Sequence, residues 1–274
     1  MEYPLLSLEL AREIEIAEAE AAVACAERVR VARGDGAGAV AAVAGGYAIY
    51  CGANSPVTQA VGLGLNGAVS KEEFDRLEEF YFSREETVRV ETCPMADGML
   101  IEHYRERGYF VSEFSNVMVR PMEKTVEAAA LPDGIEIQKA AVGEIDLWTL
   151  TVAQGFAEHF PVTQEILSVM RLFAEGKNTE CYFARVDGKI AGGATLALRG
   201  RIAGLFGAST LPQFRNRGVQ TALLEARMQR AAERGCDLAM SIALPGSASQ
   251  RNITRRGFRT LYTRVKFERE FVAG

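Results

Sequence analysis

Two spacings of apolar residues take turns along the chain. Short apolar runs of four to nine residues, suited to buried strands, alternate with longer stretches whose apolar positions recur every three or four residues. Leu8 to Ala32 is the first long stretch. Ala, Glu and Arg dominate it and no Gly or Pro interrupts it, so it predicts one helix, with Ala17, Ala21, Ala24 and Cys25 on a narrow face of small residues. Gly34-Asp35-Gly36 ends it. Ala39–Val43 and Gly46–Cys51 predict two strands around a Gly45-Gly46 turn, and Val61–Asn66, alternating with glycine, a third. Ser70-Lys71-Glu72-Glu73 has the form of a capping box opening a helix over Phe74–Phe82. Thr87–Cys93 predicts a strand stopped by Pro94, Ala96–Arg107 a helix stopped by Gly108, and Phe110–Arg120 a strand.

The second half runs through a similar order. The pattern predicts a strand at Ile135–Lys139, helices at Val142–Phe156 and Glu165–Phe173, and a hairpin of Cys181–Val186 and Ile190–Leu198 around Asp187-Gly188. A strand at Arg201–Leu211, a helix from Val219, a strand at Asp237–Leu244, a helix at Ser247–Arg256 and a strand at Phe258–Phe267 complete it. The halves echo each other. Thr92-Cys93-Pro94 followed by Arg107-Gly108-Tyr109 parallels Ala243-Leu244-Pro245 followed by Arg256-Gly257-Phe258, and Gly62-Leu63-Gly64 parallels Gly204-Leu205-Phe206. The expectation is an α/β fold (α+β, mixed sheet) in two related domains. These are residues 1–122 and 135–274, joined by a linker at 123–134 with an Ala run and Pro132-Asp133-Gly134.

Candidate chemistry gathers in Gly204–Arg234. The apolar strand ends at Pro212, a polar turn Arg215-Asn216-Arg217-Gly218-Val219-Gln220-Thr221 follows, and a helix begins. Val219, Ala222, Leu223, Ala226 and Arg230 lie on or beside one face of that helix, with Glu225, Arg227 and Gln229 elsewhere. Backbone N–H groups without partners point out of such a helix start, and its dipole favours an anion there. Arg215 and Arg217 add positive charge, so the turn is a candidate phosphate cradle. It lacks the Gly-Lys-Ser/Thr of a P-loop and the three glycines of the dinucleotide fingerprint. In the first half the matching stretch, Asn66 to Glu73, carries two carboxylates in the first helical turn, which would repel a diphosphate. Only the second domain is expected to bind a cofactor.

Arg215-x-x-Gly218-x-Gln220, with the strand near Asp237–Leu244, Ser249-Gln250-Arg251-Asn252 and Arg256-Gly257-Phe258, resembles the coenzyme A loop and following elements of the GNAT superfamily of acetyltransferases. The family has Gly or Ala where this chain has Gln220. The resemblance covers Gly134–Phe271, about half the chain, and makes the first half a degenerate GNAT-like domain. Its implications are acetyl-CoA (coenzyme A) as cofactor, Ser209, Thr210 and Leu211 along the pantetheine arm, and the backbone of Arg217, Gly218, Val219, Gln220 and Thr221 around the diphosphate, with Arg215 and Asn216 beside it. Where the family often has a Tyr general acid, this chain has Ile253. Asn252, which the resemblance also places against the pantetheine, Ser249 and Tyr262 are therefore the candidate catalytic residues. The predicted strand Arg201–Leu211 has no carboxylate to serve as base. Glu158 and His159, in the connection where the family binds its acceptor, are the candidate substrate-binding residues. The implied activity is transfer of acetyl to a primary amine of a small molecule by direct attack in a ternary complex. A non-catalytic acyl-CoA-binding regulatory module and a protein N-acetyltransferase remain open.

Composition narrows this little further. Net charge is −5 with no long basic block, which argues against general nucleic-acid binding. Five scattered cysteines with no metal-ligand spacing, and two histidines, predict no metal site and a reduced, cytoplasmic chain. The apolar stretch at Ala37–Ala53 is too short and too broken by glycine to span a bilayer, so no membrane partner is expected. A homodimer is a partner to test.

Overall fold

The structure is a computed structural model that describes residues 2–53, 55–123, 132–157 and 162–272. In chain order the elements are α1 (Leu8–Arg33), β1 (Ala39–Val43), β2 (Gly46–Tyr50), β3 (Gln59–Val61), α2 (Lys71–Phe82), β4 (Val88–Thr92), α3 (Gly98–Glu106) and β5 (Phe110–Pro121). There follow β6 (Ile135–Lys139), α4 (Ile145–Phe156), α5 (Gln164–Ala174), β7 (Thr179–Val186), β8 (Lys189–Arg199), β9 (Ile202–Thr210), α6 (Val219–Glu233), β10 (Leu238–Ala243), α7 (Ala248–Thr254) and β11 (Arg259–Arg269). The fold is α/β. The chain forms two compact units: an N-terminal unit (Leu5–Val117, Ala243–Pro245, Thr260–Gly274) and a C-terminal unit (Met1–Pro4, Met118–Ile242, Gly246–Arg259). Of the linker expected at 123–134, residues 124–131 lie outside the described residues.

In the N-terminal unit the strand order is β1-β2-β3-β4-β11-β5. β1, β2 and β3 pair antiparallel, β3 runs parallel to β4, and β4 pairs antiparallel with β11. The last strand, expected with the second half, thus pairs with β4 of the first, Val265 opposite Thr92 and Phe267 opposite Val90. Its side chains give the reason. Phe267 stacks on Tyr104 at 4.3 Å between ring centroids, and the Tyr104 hydroxyl lies 2.9 Å from Thr92 Oγ1 inside the core. On the neighbouring stretch, Tyr262 donates to Glu15 Oε1 of α1 at 2.6 Å and Arg264 Nε donates to the same oxygen at 2.8 Å. Arg264 also pairs with Glu18. Burial pushes the Glu15 carboxyl above its ordinary range, against the pull of Arg264.

The third expected strand, Val61–Asn66, overlaps the observed β3 (Gln59–Val61) only at Val61. Gly62 and Gly64 adopt positive φ and turn the chain out of the ladder, while Leu63 and Leu65 still bury their side chains. The β1–β2 turn falls on Ala44-Gly45, one residue earlier than expected, both at positive φ as a type I′ hairpin requires. The capping box of α2 forms as its sequence predicts. Ser70 Oγ accepts from Glu73 N–H at 3.2 Å, and Glu73 Oε2 accepts from Ser70 N–H at 3.0 Å.

In the C-terminal unit the order is β6-β7-β8-β9-β10, antiparallel through β9, with β9 and β10 parallel. α4 packs on β7–β9 and α6 on β6–β9. The far end of α6 is tied to the sheet through Glu180 of β7, whose side chain is 6% exposed. Glu180 accepts from Arg230 Nε of α6 (3.1 Å), from Nη1 of Arg234, the C-cap residue of α6 (3.3 Å), from Tyr182 Oη (2.6 Å) and from Lys139 Nζ of β6 (3.2 Å). Burial alone would raise its pKa; the hydrogen bonds from Arg230, Tyr182 and Lys139 win and hold it at about 2.

A carboxyl held below its ordinary value of 4.5 stabilises the fold fully above that pH, and the stabilisation fades as pH falls towards about 2. Urea unfolding across this window should show stability falling with pH. Glu180→Gln should flatten that slope and cost on the order of 1 kcal/mol at neutral pH, because the cations it leaves behind are a third to a half exposed and water takes over part of their solvation. An unchanged slope would remove Glu180 from this role.

Candidate active site

β9 and β10 run side by side only as far as Gly204 and Met240, the last residues of their shared register. Beyond that point the parallel strands separate. Ser241 reaches back, its Oγ donating to Leu205 O at 2.9 Å. On the other side of β9 the pairing with β8 slips. Thr195 faces Phe206 and Gly193 faces Ser209, so Gly207 and Ala208 share the space opposite one residue of β8. This is a β-bulge, with Gly207 at φ +56°, and it re-aims the backbone groups of β9 where the gap opens. The sequence pattern does not reveal it.

The separated strands form the wall of a cavity of about 540 Å3 that lies wholly in the C-terminal unit. The start of α6 lines it. Gly218 is the N-cap, at φ +86°, and no side chain caps the helix. The first-turn amides of Val219, Gln220 and Thr221 therefore keep their donors for a ligand, in contrast to α2 with its closed capping box. Asn216 also adopts positive φ, which curls the loop towards the helix tip. The departure at Gln220 has a local function: Gln220 Nε2 donates to Thr210 Oγ1 at 2.9 Å, tying the helix start to the strand end. Leu205, Ala208, Ser241 and Arg227 also line the cavity.

The expected residues separate into groups. Ser209, Thr210, Arg215, Asn216, Gly218, Val219, Gln220, Thr221, Ser249 and Asn252 all line this cavity. Ser209 Oγ, however, donates to Val152 O of α4 at 3.0 Å, across a contact so close that a Cβ on Gly155 would lie 2.4 Å from that oxygen. Its hydroxyl is a structural tie. Leu211 N–H is bound to Ala191 O at 2.9 Å on the β8 side. Donors alternate along a strand, so Thr210 N–H turns the other way, towards the gap. Arg217 pairs with Asp187 of the hairpin turn at 2.9 Å instead of reaching over the cradle. Tyr262 lies in the N-terminal unit, bound to Glu15, and is not among the residues lining the cavity. Ile253 lines the cavity as a buried apolar residue, and Ser247, not Ser249, caps α7. Glu158 and His159 lie outside the described residues.

Two residues escaped the sequence reading. Arg256 of the Arg-Gly-Phe motif brings its Nη2 to 3.3 Å from Thr221 Oγ1, placing a cation at the first turn of α6. Arg227, expected away from the apolar face of α6, is 2% exposed. It lies one turn beyond Leu223 on the buried side, a position that helical spacing alone could have marked.

The parts fit coenzyme A on their chemistry: bare amides on a glycine-capped helix tip suit a diphosphate, and a parted strand edge suits an amide-bearing arm. Comparison with known proteins agrees. Residues 146–258 match the acetyltransferase (GNAT) family model, and acyl transfer is the chemistry of that family. A GCN5-related N-acetyltransferase from Kribbella flavida superposes with a TM-score of 0.64 at 16% identity, over 93% of this chain and 96% of that one. A tandem GNAT protein from the clavulanic acid biosynthesis pathway does so with a TM-score of 0.62 at 13% identity, over 100% and 99%. With a GCN5-related N-acetyltransferase from Sphaerobacter thermophilus the TM-score is 0.56 at 17% identity, and the match covers 69% of this chain and 61% of that protein's length. These likenesses establish the tandem GNAT fold for the whole chain. No match is found among curated protein sequences.

Gly218 separates backbone from charge experimentally. A Cβ there would lie 3.1 Å from Pro132 Cγ, at a φ that costs L residues about 1–2 kcal/mol. Gly218→Ala and Gly218→Glu should both lower the melting temperature, and only Gly218→Glu, which adds a carboxylate at the helix tip, should abolish the rise in melting temperature produced by coenzyme A. A full rise in the Glu variant would displace the cradle.

Proposed function

We propose that the C-terminal unit is an acetyl-CoA-dependent N-acetyltransferase that moves the acetyl group to a primary amine of a small molecule by direct attack in a ternary complex. The observation that carries this reading is the joint of a parted strand and an uncapped, glycine-led helix tip facing one cavity. Bound there, acetyl-CoA would supply an acyl group activated as a thioester. The chain's part is to bind, orient and polarise. The α6 amides and Arg256 hold the diphosphate, and Gln220 keeps the helix tip registered against Thr210. The Thr210 amide and the bulge at Gly207-Ala208 offer backbone donors along the gap. Such positioning of the two reactants, with donors at the carbonyl, is a large part of what acyl transfer to an amine needs. The amine nitrogen attacks the carbonyl carbon, the carbon–sulfur bond breaks with its electron pair leaving on sulfur, and the ammonium proton passes to a base or water. Asn252 and Ser249 are the polar side chains of α7 on the cavity and serve to hold the arm or a water for that proton.

A second reading, a non-catalytic acyl-CoA-binding module, is favoured by Ile253, which sets an apolar side chain where the family often has a Tyr. Free-thiol release from acetyl-CoA, followed with a panel of small primary amines and peptides, separates the readings. Release with a small amine is expected. Tight binding without release from any acceptor supports the module, and release with peptides alone supports protein acetylation. Asn252→Ala should lower turnover or cofactor affinity about fivefold, the equivalent of one hydrogen bond. Unchanged rate and affinity would return Asn252 to the surface of α7.

A further inference from the structure

Arg227 is an unusual group to find inside α6. Arg230 on the same helix and Arg234 at its C-cap share the carboxylate of Glu180. Arg227 has no carboxylate partner among the described residues, although it is more deeply buried than either. Its Nε donates to Leu223 O at 3.0 Å, one turn back on its own helix. Its Nη1 donates to Thr195 O at 2.8 Å and to Phe206 O at 3.3 Å. Those two residues are the last matched pair of β8 and β9 before the bulge. Arg227 thus clamps both strands at the point where the backbone of β9 is re-aimed. Its Nη2 has no hydrogen-bond partner among the described residues, and Arg227 lines the cavity together with Leu205, Ala208 and Ser241.

A buried guanidinium is costly unless its donors are used. Burial works against its charge, yet even pushed down to about 9 its pKa keeps it cationic at neutral pH. An apolar residue of similar length would fill the same space without that cost. The retained charge makes sense if an acceptor atom arrives with the ligand. With the diphosphate of the proposed ligand at the α6 tip, its far end would run along the gap towards the bulge, where its acceptor would be the thioester carbonyl.

We propose that Arg227 is the residue by which this site distinguishes an acyl thioester from the free thiol. It fixes the bulge through the Thr195 and Phe206 carbonyls and supplies Nη2 to the acyl carbonyl. This rests on the acyl-coenzyme A reading above and assigns to that site a side-chain donor that loop and strand motifs do not specify. The same contact strengthens as negative charge develops on the carbonyl oxygen during attack, so Arg227 also favours the reaction.

The test compares dissociation constants of acetyl-CoA and of coenzyme A by calorimetry, in the full-length wild type and in Arg227→Met and Arg227→Lys. The wild type should prefer acetyl-CoA by about tenfold, the size expected of one hydrogen bond from a charged donor. Arg227→Met should bring the preference close to one while keeping most of the affinity for coenzyme A. Arg227→Lys, which retains charge and a shorter reach, should fall between, and this graded recovery is not the behaviour of a merely structural residue. A preference that survives in Arg227→Met overturns the inference. If Arg227→Met does not fold, a wild-type preference retained unchanged by Arg227→Lys overturns it, and a reduced one supports it. A wild type that binds neither ligand defeats the cofactor reading itself, a result distinct from the loss of this residue's role.

Discussion

Two parallel strands that stop pairing leave a row of backbone donors and acceptors without partners. Buried groups of that kind must be satisfied or they cost stability. Most of the C-terminal unit can be understood as an answer to this demand between β9 and β10. Ser241 satisfies Leu205 O, and Arg227 satisfies Phe206 O together with Thr195 O. The bulge turns what remains towards the cavity. The helix that follows repeats the logic at its tip, where Gly218 offers no side chain to the amides of the first turn. A ligand that brings its own acceptors, anionic at one end and amide-like along its length, completes both sets.

The N-terminal unit carries the corresponding joint with the demand met from within. β3 runs parallel to β4, as β9 does to β10, but the chain leaves β3 after three residues. The next helix is closed by Ser70 and Glu73, and its first turn is acidic. Tyr104, which by sequence echo sits where the family has its acid, hydrogen-bonds to Thr92 and stacks in the core. A helix from one end of the chain and a strand from the other meet through Glu15, Tyr262 and Arg264. In this unit the capping box and the core hydrogen bonds occupy groups that the C-terminal joint leaves open.

Much of this was legible in the sequence. Period and punctuation placed nearly every helix and strand, because Gly and Pro at 34, 94, 108 and 212 mark ends whose causes are local. The capping box at Ser70 was readable for the same reason, and so was the Gly218 joint. What was not legible depends on pairing between distant segments. The register slip between β8 and β9 cannot be seen in β9 alone. The partnership of β11 with β4 needs Glu15, more than two hundred residues away. The rule that a charged residue is normally solvated puts Arg227 on the wrong side of α6. Only the carbonyls exposed by the bulge make its burial favourable. Arg217 shows the same limit: its charge is evident in the sequence, its engagement by Asp187 is not.

That Arg217–Asp187 pair changes how the helix tip would meet an anion. The guanidinium already has a counter-ion, so an arriving diphosphate would exchange with a carboxylate on a solvent-exposed hairpin rather than fill an empty charge. Swapping partners of like sign leaves the count of close ion pairs nearly constant. The hairpin around Asp187-Gly188 thereby holds the loop's cation beside the start of α6.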